Sequence, residues 1–164
     1  MKAHRRITHD KRLKDVDGDL GFLYERMRAL GDRLGLILFQ LPPSLRCDLG
    51  ILETFLTQLR PGGRAVIEFR HASWRQPAVY TLLEAHRVAL VIAETDEEEQ
   101  PKDLVGPISY LRLHKYRYTP QEIQQWAGWI RERIGEGRDV FAYFTHEEGT
   151  PGPEYAKVLA EATP

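Results

Sequence analysis

Sulfur chemistry has almost no place in this chain. It carries one cysteine, Cys47, so no internal disulfide can form, which fits a reducing cytoplasm and sets the expected location there. No apolar run approaches the roughly 20 residues that a membrane span needs, and no membrane partner is expected. The opening MKAHRRITHDKR has charge without the apolar stretch of a secretory signal. An excess of charge of one sign is missing too. The net charge of −1 gives no global basic field toward nucleic acid or membrane. There is no HExxH, no Gly-rich phosphate loop and no GxSxG elbow. Neither a short repeat nor a compositional break divides the sequence. What remains is ordinary for a globular chain: 164 residues, 42% hydrophobic and 29% charged, enough for one domain, residues 1–164, with a real core.

Periodicity and turn chemistry give the organisation. Residues 1–14 are basic, with Lys2, Arg5, Arg6, Lys11, Arg12 and Lys14; they read as a nucleic-acid arm, a solvated terminus or an eroded strand. Asp17 or Asp19 is placed to cap a helix running to about Leu34, with Leu20, Leu23, Tyr24, Met27 and Leu30 at helical spacing. LILFQL at 36–41 is a strand stopped by Pro42-Pro43. Asp48 starts the next helix, which Pro61-Gly62-Gly63 closes. A central strand spans 65–70, and Ser73 is placed to cap a helix to about Arg87. Further strands are expected at 88–93, 108–114 and 139–144. Thr119-Pro120 with Glu122 forms a capping box that opens a helix bearing Ile123, Trp126, Ala127 and Ile130. A short helix at 154–161 ends the chain. Strands alternating with helices imply a parallel sheet with right-handed crossovers.

The central stretch AVIEFRHASW draws most attention. Val66, Glu68 and Arg70 share one face of the strand. In a parallel strand covered on both sides, Glu68 and Arg70 would point into a packed interior, where unpaired charge is too costly to persist. Other strands also end on polar groups: Gln40; Glu94 and Asp96; Arg112 and His114; His146. Ligands of parallel α/β folds bind at such ends. Glu68 and Arg112, two strands apart, are expected to pair. The charges then form a structural network, or Arg70 and Arg112 hold a phosphate or carboxylate. His71, His114 and His146 with Glu68 or Glu94 are a metal-ligand alternative without metal-type spacing. The acidic run 94–99 reads as a solvated loop. Tyr116 and Tyr118, interleaved with Lys115 and Arg117, have the pattern of a stacking-and-charge surface for nucleic acid. Trp74, Trp126 and Trp129 read as core or rim.

The segments KAHRRITHD, LILFQLPPS, AVIEFRHASW, YLRLHKYRYTPQEIQQWA and DVFAYFTHEE, in this order and spacing, resemble the domain of unknown function 72, or YecE-like, family. The likeness runs over nearly the whole chain, and FQLPP and EFRHxSW are specific to it. It implies a TIM-type barrel of uncharacterised activity. The last strand departs from the family pattern: where asparagines are usual, Thr145-His146-Glu147-Glu148 stands, so no asparagine role carries over. Family members are also longer at the amino end, whereas a closed barrel takes ~250 residues. The expected fold is therefore α/β and an incomplete TIM-type barrel of about five parallel strands alternating with helices. A sixth joins if residues 2–5 pair. Either strands are missing from the natural protein or the start is internal to a longer chain. Open edges invite self-association.

Two functions follow. One is an enzyme or its remnant binding a small anionic, phosphorylated or sugar-like ligand at the strand ends. Glu68 or His114 would act as acid or base, Arg70 and Arg112 would hold the anion, Gln40 and Trp74 would orient the ligand, and His71 and His146 would line the site. The other is a non-catalytic binding module, for nucleic acid, built on the basic amino end and the 115–118 loop. A kinship with metal-dependent barrel nucleases rests on fold alone. No cofactor is named by any of these residues.

Overall fold

A computed structural model of the chain describes residues 1–60, 64–97, 102–144, 149 and 151–163. These divide into two compact units, Met1–Leu90 and Val91–Pro164. The strands are β1 (Ile37–Gln40), β2 (Ala65–Glu68), β3 (Ala89–Glu94), β4 (Ile108–Leu113) and β5 (Asp139–Phe144). All ladders are parallel and follow chain order, β1-β2-β3 in the first unit and β3-β4-β5 in the second. β3 serves both, its first two residues pairing with β2 and its last four with β4. Five parallel strands alternating with helices, with no closing ladder among the described residues, make the α/β architecture expected of an incomplete TIM-type barrel.

In the first unit, β1 and β2 are apolar on both faces because both faces are covered. Helix α2 (Leu49–Gln58) starts where expected: the Asp48 carboxylate accepts the Ile51 N–H at 3.1 Å. Leu52, Phe55 and Leu56 form its buried stripe, and Phe55 meets Phe39 edge-on at 5.2 Å. Helix α1 (Asp17–Met27) is shorter than its periodicity suggests. The chain tightens into a 3-10 turn, Arg28–Arg33, and breaks at Gly31, whose φ of 51° suits glycine. Neither Asp17 nor Asp19 caps α1. Val16 stands at the cap, and Asp19 instead holds Arg6 at 2.8 Å and Lys11 at 2.7 Å.

The basic amino end is not a free arm. Lys2 forms a parallel bridge with Leu38. The Ala3 N–H donates to Leu38 O, and the Leu38 N–H to Met1 O, both at 2.8 Å. A π-helical turn, Arg6–Asp10, follows and buries Ile7 and Thr8. The sixth strand is thus reduced to one bridge.

β2 ends at Glu68, so Arg70 leaves the strand and is exposed. This corrects the expectation that it points into a packed interior. Ser73 also departs from its expected place. A 3-10 turn, Ala72–Trp74, is capped by His71, and helix α3 (Pro77–Ala85) starts after Gln76.

In the second unit, the capping box of α4 (Pro120–Gly135) forms as read: the Thr119 hydroxyl accepts the Glu122 N–H, and the Glu122 carboxylate accepts the Thr119 N–H at 2.7 Å. Ile123, Trp126 and Ile130 pack with Leu111, Leu113 and Leu159 in one core. Gly137, at φ 78°, lets the chain turn from α4 into β5. Helix α5 (Gly152–Glu161) closes the unit.

Candidate functional site

At the carboxyl ends of β1 and β2 the first unit builds a polar chain. Gln40 and Glu68 are register partners on adjacent strands, so their side chains project to the same face. The Lys2 ammonium donates to Gln40 Oε1 at 2.7 Å, and Gln40 Nε2 donates to Glu68 Oε1 at 2.8 Å. The ammonium fixes which end of the amide faces the carboxylate. Glu68 is only 5% exposed. Beside this chain, His9 bonds the Thr8 hydroxyl through Nδ1 at 2.9 Å. Its pKa is lowered, first by burial and then by the positive charges of Lys2 and Arg5, opposed by Asp10, with Arg70 adding to the lowering. Lys2, Arg5 and Arg70 therefore act on one imidazole. Arg5 has Asp10 as a counterion at 3.2 Å. Among the described residues Lys2 and Arg70 have no ion pair.

The EFRHASW stretch also braces the loop after β1. The Ser73 N–H donates to His71 Nδ1 at 3.1 Å, so the proton of a neutral His71 ring sits on Nε2. Ser73 Oγ lies 2.9 Å from the same nitrogen, donates to it, and accepts the Cys47 N–H at 2.8 Å. Gln76 Nε2 donates to Ser73 O at 2.9 Å and to Cys47 Sγ at 3.2 Å. Trp74, expected to orient a ligand, is 1% exposed. Its ring stacks on Phe69 at 4.5 Å and 7°, and its indole N–H is taken by Leu45 O at 2.8 Å. The ring shapes the loop and presents no free face.

Arg112 and His114 belong to the second unit. Both are half-buried, and both have partners; the His114 N–H donates to Glu94 O at 2.9 Å. Glu94, read as part of a solvated acidic loop, is instead buried. Its Oε1 lies 3.1 Å from Lys115 Nζ, and its Oε2 accepts the Trp126 indole N–H at 3.0 Å. Lys115 also meets Glu122 at 2.9 Å. The Thr119 N–H, the Lys115 ammonium and the Thr119 hydroxyl bring the Glu122 pKa down to about 2. Tyr118 is buried, its hydroxyl accepts the Lys115 N–H at 3.2 Å, and burial raises its pKa. Lys115 and Tyr118 thus face inward, which removes half of the expected stacking-and-charge surface. Tyr116 and Arg117 remain exposed. His146 lies outside the described residues.

Sequence reasoning did not place Lys2 or His9 at the strand ends, and it offered Glu94 there only as a polar strand end and a metal-ligand alternative. Lys2 and His9 both fall in KAHRRITHD, a segment that already stood out as a marker.

The fold and these strand-end groups define an α/β protein of parallel strands with its polar groups at the strands' carboxyl ends. Residues 1–164 match the family described as Protein of unknown function DUF72, and the chain belongs to that family. A crystal structure of a DUF72 family protein from Thermotoga maritima is similar, with a TM-score of 0.76 and 17% identity over 98% of this chain and 71% of that one. Two crystal structures of a DUF72 family protein from Enterococcus faecalis give TM-scores of 0.73 and 0.68 at 16% and 18% identity. They cover 92% and 94% of this chain, and 66% and 68% of theirs. At such identities the likeness is one of fold. No curated protein matches the sequence.

Proposed function

We propose that the first unit binds a small anion, such as a phosphate or carboxylate group on a metabolite, at the carboxyl ends of β1 and β2. The supporting observation is the surplus of positive charge: Lys2 and Arg70 lack counterions among the described residues, and both act on His9. Arg70 supplies a planar fork and Lys2 a point charge. His71 offers its Nε2–H as a further donor. Gln40, held by Lys2 and Glu68, orients the ligand, and Glu68 is placed as the acid or base of any reaction on it. His114 and Arg112 are kept as candidate groups of the second unit. The test is a titration with inorganic phosphate, followed by amide NMR shifts. Saturable shifts at Lys2, Arg70 and His71, weakened about tenfold in Arg70→Ala, support the reading. Unchanged amides, or an unaffected Arg70→Ala, overturn it. Affinity that rises with oligonucleotide length and collapses with salt would point instead to nucleic acid.

For assembly, we infer pairing of two copies along the free side of β5. That strand has a ladder to β4 alone among the described residues, and Tyr143 is 48% exposed on it. Light scattering is expected to give a dimer, and a monodisperse monomer contradicts this.

A further inference from the structure

A second cationic feature lies at the opposite ends of the same two strands. Ile37 and Ala65, the first residues of β1 and β2, border a cavity of about 200 Å³. Its floor is apolar, with Met27 and Ile37. Its rim carries three guanidinium groups, Arg28, Arg60 and Arg64, and among the described residues no carboxylate lines it. The Arg60 guanidinium lies over the Tyr24 ring, 4.6 Å from its centroid. The Tyr24 hydroxyl accepts the Arg60 N–H at 3.2 Å, and its own proton has no acceptor among the described residues. Tyr24 is 8% exposed, and burial raises its pKa, so at neutral pH it is a phenol with a proton to donate.

A partly buried donor without an acceptor, three guanidiniums and an apolar floor have complementary demands. A bare anion would satisfy the rim and leave the floor empty. An apolar molecule would fill the floor and leave the charges idle. We propose that this cavity binds an organic anion with an apolar body, an aryl phosphate or aryl carboxylate, with its head on Arg60, Arg64 and the Tyr24 hydroxyl and its body over Met27 and Ile37. This site is separate from the strand-end site at Gln40 and Glu68 and does not depend on it.

Phenyl phosphate titrated into the full-length, isotope-labelled chain tests this. Saturable amide shifts are expected at Gly31, Arg64 and Ala65. Affinity should fall about tenfold in Arg60→Ala and again in Tyr24→Phe, which keeps the ring and removes only the donor. Arg70→Ala, at the other ends of the strands, should leave these shifts unchanged, so the two sites fail or stand separately. Inorganic phosphate should bind about tenfold more weakly than phenyl phosphate, since it cannot cover the floor. Absent shifts at these amides, equal binding by Tyr24→Phe and Arg60→Ala, or equal binding of inorganic phosphate would overturn the proposal.

Discussion

The two units use charge at their strand ends in opposite ways. In the second, Glu94, Lys115 and Glu122 form a closed set: each carboxylate meets the same ammonium, and the remaining acceptors are filled by Trp126 and Thr119. Nothing in that triad is left over for a ligand. In the first, Glu68 accepts the Gln40 amide and has a further partner, while Lys2 and Arg70, both acting on His9, have no ion pair among the described residues. A closed set fixes the end of β3 to the start of α4. An open set leaves a field that a ligand can complete. Charged residues at strand ends therefore have no single meaning in this fold, and the partner list decides between scaffold and site.

Breaking the closed set should have the largest effect. Lys115→Met leaves Glu94 buried without its counterion and should destabilise the protein by about 3 kcal/mol. Lys2→Met, in the open set, should stay within about 0.5 kcal/mol. Chemical denaturation of both variants makes the comparison, and equal losses would erase it. Next comes Arg70→Ala. Its melting temperature should match the parent, while phosphate affinity falls about tenfold, a difference of about 1.4 kcal/mol; calorimetry reads both.

A smaller effect is expected from Thr119→Ala, which removes one half of the capping box and should cost about 1 kcal/mol. Because Glu122 has a folded pKa of about 2 against an ordinary 4.5, its contribution is present above pH 4.5 and is lost as pH falls toward 2. Acid unfolding monitored by circular dichroism should therefore begin at higher pH in Glu122→Gln than in the parent.

The elements were legible wherever a local rule governs them. Asp48 and the Thr119–Glu122 box announce their helices because the bonding partners lie within three residues. β5 and the stripe of α4 follow from periodicity. The errors share a different cause. Glu94 is bonded to residues 21 and 32 positions away, so nothing nearby marks it as buried. Ser73 serves Cys47 across 26 positions instead of capping the next helix. Asp19 was diverted from its cap by Arg6 and Lys11. Arg70 was read through a strand that in fact stops two residues earlier, which turns an interior charge into an exposed one. The candidate site was legible in Gln40, Glu68 and Arg70, but Lys2 and His9 enter it through a pairing of the amino end with β1 that periodicity does not encode.

The open charge of the first unit is tested most directly by the NMR titration of His9, without and with inorganic phosphate. The account predicts a pKa below the ordinary 6.5 in the free protein. It should rise when phosphate binds and rise also in Arg70→Ala, since both reduce the positive field on the ring. A His9 pKa that ignores both phosphate and the loss of Arg70 would contradict it.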